Sequence, residues 1–320
     1  MTDPVKAPIR IPTLTRIVKI ASGYHHLVML TDEGNVLTMG CGENGQLGRV
    51  AERFATRAGR HWQRALMRPA IVPIKMASRR AEKRDVANNA DEAAATGAKT
   101  VSSSDLNRSQ DAATSKSASR VTDIWAGGYA SVVKLESGAV LGFGLNSSSQ
   151  LGFRSDAATA EECCVFQPKY LASLTALDPT FVSCGHHHTL ILSGKDRRVY
   201  ACGAKAYGAC GGGEADSCGE AVEAPTLVPA LQDTSVMAVA AGIYTSYAVT
   251  SKDGALWSWG TGTNNSLGHG DEEDHLEPRK VEAKQLETRR VHAVVAGGQH
   301  CAVIGVAKED GEEGKTREHA

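Results

Sequence analysis

The sequence predicts an all-β fold, a β-propeller built from four repeated blades and the start of a fifth. Three observations carry this. First, a unit recurs: a small residue, a Gly and an apolar run, then a tight turn about eleven residues on. Second, each of four such units ends on two glycines separated by seven residues. Third, the apolar runs are short, β-branched and bounded by Gly, Asp, Asn and Ser, as strands between turns should be. A fixed period of tens of residues marks a repeat architecture, and several short strands per unit mark a propeller blade. Such a unit buries its faces only against its neighbours.

The first unit runs from Ile20 to Arg49. Leu27 to Leu30 form an apolar strand, Asp32-Glu33-Gly34-Asn35 signals a hairpin, and Val36, Leu37 and Met39 resume the strand. The small-residue step recurs at Ala21-Ser22-Gly23, Ala126-Gly127, Ser183-Cys184-Gly185, Ala241-Gly242 and Ala296-Gly297-Gly298. Its spacings are 104, 58, 57 and about 55 residues, so the first interval holds an insertion. The glycine pairs are Gly40 and Gly48, Gly144 and Gly152, Gly203 and Gly211, and Gly260 and Gly268. The hairpin turns carry Gly34, Gly138 and Gly254; the turn at Asp196 lacks the Gly and reads as a one-residue insertion. Ser131–Leu135, Thr189–Leu192 and Tyr247–Thr250 read as inner strands covered on both faces. Trp257 and Trp259 share one strand side and are expected to pack the blade rather than stack on a ligand. Val291 to Ile304 begins a fifth unit.

Domain organisation follows. Residues 1–16 are an N-terminal extension, 17–306 the propeller repeats and 307–320 a charged tail expected to be disordered. An insertion at about 51–120 interrupts the repeats. From Glu52 to Arg84 it holds ten Lys/Arg against two acids, a local charge of +8, with Arg53, Arg57, Arg60 and Arg64 at helical spacing. Residues 81–119 are Ala-, Ser- and Thr-rich and are expected to be disordered. The basic part fits an acidic surface, nucleic acid or an import signal, or is simply a solvated helix.

Composition excludes several classes. The net charge is −1, which favours no charged partner. No run approaches the ~20 apolar residues of a membrane span, so no membrane partner is expected, and the N-terminus lacks an apolar signal core. The chain reads as soluble and intracellular. The eight cysteines are irregularly spaced, lack a CxxC pair and are expected to be structural thiols. Gly40-Cys41-Gly42-Glu43-Asn44-Gly45 matches GxGxxG, yet another Gly and no helical stripe follow, so it reads as a blade turn. His186-His187-His188 alternate faces on a strand and do not converge on one ion. Neither a metal nor a cofactor is expected, and no nucleophile–base pattern suggests an enzyme. His26, His188 and His300 each lie three residues after a marker Gly. One fixed blade position maps to a ring around one mouth of a propeller; equally, each imidazole can bond the neighbouring blade.

The residues LVMLTDEGNVLTMGCGENGQLGRV, RFATRAGR, SCGHHHTLIL, SYAVTSKDGALWSWGTGTNNSLG and KQLETRRVHAVVAGGQH together resemble the regulator of chromosome condensation family. The likeness covers roughly 17–304, apart from the insertion at about 81–119. It implies a seven-bladed propeller and a guanine-nucleotide exchange factor for a Ran-type small GTPase, nuclear and chromatin-associated. A truncated form could be cytoplasmic. One face is then expected to distort the GTPase nucleotide site, and the other to bind histones and DNA phosphates. The resemblance places Arg49, His188 and His300 on the GTPase-binding face. There His25 stands where the family pattern SGxDH has Asp, replacing a carboxylate contact. Arg79, Arg80, Lys83 and Arg84 are the chromatin-binding candidates. The chain holds four units and the start of a fifth, so about three N-terminal blades, with a β-wedge and a basic tail, are expected to be missing, through a truncated gene model. The alternative is a propeller scaffold without exchange activity.

Overall fold

The computed structural model describes residues 15–50, 66–74, 119–155, 163–213, 221–298 and 300–308. The basic helix expected at 53–64, the low-complexity stretch and the chromatin-binding candidates Arg79, Arg80, Lys83 and Arg84 lie outside them.

Four sheets of four antiparallel strands and one of two form an open propeller arc. Blade one contains β1 (Ile17–Ser22), β2 (His26–Thr31), β3 (Val36–Gly40) and β4 (Ala70–Ile71). Blade two contains β5 (Val121–Ala126), β6 (Ala130–Leu135), β7 (Val140–Leu145) and β8 (Cys164–Tyr170). A short helix, α1 (Ala172–Leu177), leads to blade three. That blade is β9 (Pro179–Cys184), β10 (His188–Ser193), β11 (Val199–Ala204) and β12 (Ala221–Leu227). Blade four holds β13 (Val236–Ala241), β14 (Thr245–Thr250), β15 (Leu256–Gly260) and β16 (His275–Lys280). After α2 (Lys284–Glu287), β17 (Arg289–Ala296) and β18 (Cys301–Ala307) make the fifth unit. Every sheet is a simple meander: tight turns join the first three strands of each blade, and longer connections lead to the fourth.

The repeat glycines set the register. The residue three after the first marker pairs with the first glycine of the second: His26 with Gly40, Ala130 with Gly144, His188 with Gly203 and Thr245 with Gly260. Gly144 shows why the position demands glycine. Its φ is +115°, and a Cβ there would run into the carbonyl oxygen of Tyr129, well inside van der Waals contact. At the turn that lacks a glycine after Asp196, Arg197 takes the left-handed conformation instead, at φ 60°.

The core lies between blades. Val28, Val36, Ile124, Val133 and Phe143 fill the space between blades one and two. Trp125, Leu151, Leu174 and Ile191 do so between two and three, and Leu190, Val239 and Trp259 between three and four. Tyr247, Val249, Val291 and Val294 close blade four on the fifth unit. The second strands are buried on both faces: β10 and β14 are buried at every position. Fully burying one such Leu, Ile or Val side chain is worth ~1.5–3 kcal/mol. Trp257 and Trp259 both pack the core shared by blades three and four, and Trp259 donates its indole N–H to Ala209 O at 3.0 Å.

Candidate partner-binding rim

The turns that join the first and second strand of each blade converge at one mouth of the arc. They line a cleft of about 370 Å³ with Gly23, Gly127, Gly185, Gly242 and Gly297 among its walls. Backbone bonds tie blade to blade here: Tyr24 N–H to Gly128 O (3.2 Å), Gly128 N–H to Gly185 O (2.9 Å) and His186 N–H to Gly242 O (3.1 Å). A Cβ at Gly127 would collide with the carbonyl oxygen of Cys184. The small-residue step therefore exists so that adjacent backbones can touch.

On this mouth lies an arc of aromatic and imidazole rings drawn from four blades. Tyr24 stacks on Tyr129, with centroids 6.0 Å apart and planes 17° apart, and both rings meet His186, at 5.2 and 4.9 Å. His186 touches His187 at 4.1 Å, and His187 stacks on Tyr244 at 5.2 Å and 14°. Tyr207 completes the arc against Tyr244 at 4.9 Å. Burial lowers the pKa of His186, and His187 lowers it further; burial lowers that of His187 too. Both shifts favour the neutral ring.

The expected site residues fall in different places. His25 is exposed on the mouth, its ring 5.7 Å from that of Tyr24. His300, immediately before β18, is also exposed. His188, expected on the GTPase-binding face, is fully buried in this chain. Its Nε2 meets Ser246 Oγ of the next blade at 2.8 Å, and that hydroxyl donates to Ala209 O at 2.8 Å. His26 repeats the arrangement with Ser131 Oγ at 2.8 Å, whose hydroxyl donates to Gln46 O at 3.0 Å. Of the two readings of the repeated histidine, the bond to the neighbouring blade holds for His26 and His188. Burial brings the pKa of each down to about 4, with a smaller push from His25 or His187.

Arg49 is turned into its own blade. Its Nε donates to Thr38 Oγ1 (3.2 Å) and its Nη2 to the carbonyls of Thr38 (3.3 Å), Leu66 (3.5 Å) and Arg68 (3.3 Å). The guanidinium thus ties the two ends of the chain around 51–65 to β3. Among the described residues, no three His, Cys, Asp or Glu side chains are grouped to hold a metal ion. Sequence reasoning passed over the aromatic arc, although its signal was present. The position two after the marker glycine is His25, Tyr129, His187 or Tyr244, a planar ring in four units.

Fold and rim together define a repeat propeller whose mouth carries an arc of rings. The chain belongs to the RCC1-like domain family, whose model matches residues 1–303. It is 35% identical over 314 residues to the human Regulator of chromosome condensation, covering 97% of this chain and 63% of the human protein. To the Xenopus laevis Regulator of chromosome condensation it is 33% identical, over 95% of this chain and 61% of that protein. Its fold matches the crystal structure of Saccharomyces cerevisiae Prp20p, a protein characterised for binding Gsp1p and histones. The TM-score is 0.70 at 25% identity, over 95% of this chain and 60% of that one. The chain thus spans about three fifths of the length of these relatives.

Proposed function

We propose that this chain acts as a guanine-nucleotide exchange factor for a Ran-type small GTPase, at chromatin in the nucleus. The observation that carries the reading is family membership over residues 1–303, with 35% identity to a Regulator of chromosome condensation across 97% of the chain. The binding of Prp20p to Gsp1p and histones supports both kinds of protein partner for this fold. In this reading the ringed mouth docks on the GTPase, with His25 and His300 exposed toward it. The chain regulates an enzyme and makes or breaks no bond itself. Exchange then requires tighter binding to the nucleotide-free GTPase than to the loaded one. A preference of about 10⁴-fold would move that equilibrium from 1:99 to 99:1. Arg79, Arg80, Lys83 and Arg84 remain the proposed contacts to DNA phosphates or the acidic histone surface.

The test is release of a fluorescent GDP analogue from a Ran-type GTPase. Release faster than the intrinsic rate, with preferential binding to the empty GTPase, is expected. The second reading, a scaffold that binds without exchanging, is favoured by His25, which puts an imidazole where the family resemblance has a carboxylate. Equal affinity for loaded and empty GTPase would establish it.

A further inference from the structure

We infer that Tyr207 is a partner-contact residue: in a backbone conformation that disfavours tyrosine, it holds its ring out from the propeller mouth for a GTPase pocket that buries an aromatic side chain. The inference rests on the reading of this mouth as the GTPase-docking surface and adds the side chain that anchors the contact.

Four observations carry it. The backbone at Tyr207 is left-handed, with φ 57°. Among the described residues, the other non-glycine positions at positive φ are Ser149, Asp178, Arg197, Asn264 and Asn265. Asn and Asp tolerate this region, whereas a bulky ring there is an outlier. Next, the repeat shows what this position otherwise holds. Four residues after the first glycine of each pair stand Asn44, Ser148, Tyr207 and Asn264. Asn264 adopts nearly the same φ, 58°, so the turn itself does not call for a tyrosine. Third, the loop is fixed from several sides. A Cβ on Gly208 would lie 2.4 Å from Leu276 Cα, so the chain is pressed against β16. Gly208 N–H donates to Lys205 O (2.9 Å) and Gly211 N–H to Gly208 O (2.7 Å), while Ala209 O accepts from Ser246 and Trp259 of blade four. A strained residue persists only where its surroundings determine it, and such residues cluster at functional sites. Finally, Tyr207 is 51% exposed at the end of the arc, its ring braced by Tyr244 at 4.9 Å. A braced tyrosine offers a large apolar body and a polar tip at little entropic cost, and tyrosine is enriched among the residues that dominate protein interfaces.

The experiment sets stability against binding in one variant. Tyr207→Asn installs the residue that blade four carries at this position. Urea unfolding gives its midpoint, and calorimetry gives its Kd for nucleotide-free Ran-type GTPase. Asparagine suits the left-handed backbone, so the midpoint should equal or exceed the parent's. Binding should weaken by at least about fivefold. A smaller loss of affinity overturns the inference at any midpoint. A lower midpoint together with weaker binding shows a ring that serves the fold, and overturns it as well. If the parent chain binds no such GTPase, the exchange-factor reading falls. Parent and variant are then titrated with core histones, the other partner for which Prp20p was characterised. Weaker histone binding at an undiminished midpoint keeps Tyr207 as a contact residue; equal affinity, or no binding by the parent, overturns it.

Discussion

Ser246 shows how much one hydroxyl does between blades. Its single proton goes to Ala209 O at 2.8 Å, so its contact with His188 Nε2 must be an acceptance. That fixes the proton of His188 on Nε2, and the same logic fixes His26 through Ser131 and Gln46 O. Thr189 continues the pattern, donating to Gln150 O of the preceding blade at 2.7 Å. Ser246→Ala leaves an imidazole N–H unpaired and leaves Ala209 O with the Trp259 indole as its remaining donor, in a site with no exposed surface. The expected loss is about 1–3 kcal/mol, read as a shift in urea midpoint. In a His188→Phe background the same change should cost measurably less, because the two groups act as one unit. Equal costs in the two backgrounds would refute that coupling. Arg49 is a second residue whose work is internal. Its guanidinium satisfies carbonyls of Thr38, Leu66 and Arg68, so Arg49→Ala should lower stability of the first blade.

At the scale of the element, the hairpin between second and third strands separates two roles of glycine. Gly138 sits at φ +86° with nothing within 4 Å of a built Cβ, so only backbone conformation is at stake. Gly144, at φ +115°, adds a collision with Tyr129 O and Ala130 Cα. Gly138→Ala should therefore cost about 1 kcal/mol. Gly144→Ala should cost more than twice as much, since β6 must shift away from β7. Comparable denaturation midpoints for the two variants would contradict this account. The same hairpins show what a sequence discloses. Glycine spacing and apolar runs follow from local sterics and burial, so the strands, the turns and the start of the fifth unit were legible. The turn after Asp196 was half legible: its irregularity was visible, but not that Arg197 would take the positive φ. The direction of Arg49 was hidden, because it depends on carbonyls 17 and 19 residues away. The depth of His188 was hidden for a related reason. Position in the repeat says which end of the blade a residue occupies, while burial depends on the adjoining blade. The aromatic arc was half legible: a ring recurs two residues after the marker glycine, but only the convergence of four blades makes the rings neighbours.

Across the whole molecule, stability resides in the seams, since each apolar cluster is shared by two blades. The end blades show the converse. Val18 is 54% exposed and Ile20 62% on β1, while Ile304 is 67% and Val306 54% on β18. Apolar side chains at that exposure favour association. Sedimentation of this 320-residue chain should show concentration-dependent self-association, reduced by Ile20→Lys with Ile304→Lys. The seams also make stability depend on pH. His26 bridges blades one and two, His188 bridges three and four, and each has its pKa lowered from 6.5 to about 4. A group with a depressed pKa holds fewer protons in the folded chain than in the unfolded chain. Acid therefore favours unfolding within that window. The contribution is complete above about pH 6.5, declines as the unfolded histidines protonate, and is lost as pH falls through about 4. Each histidine steepens the decline by up to about 1.4 kcal/mol per pH unit. His186, His187 and His269 shift the same way but are partly exposed, so solvent screens their share. Urea unfolding at pH 7.5, 5.5 and 4.5 should show stability falling across this range, and a His26→Asn, His188→Asn double variant should show a shallower fall. An unchanged slope in that variant would place the acid sensitivity outside the seams.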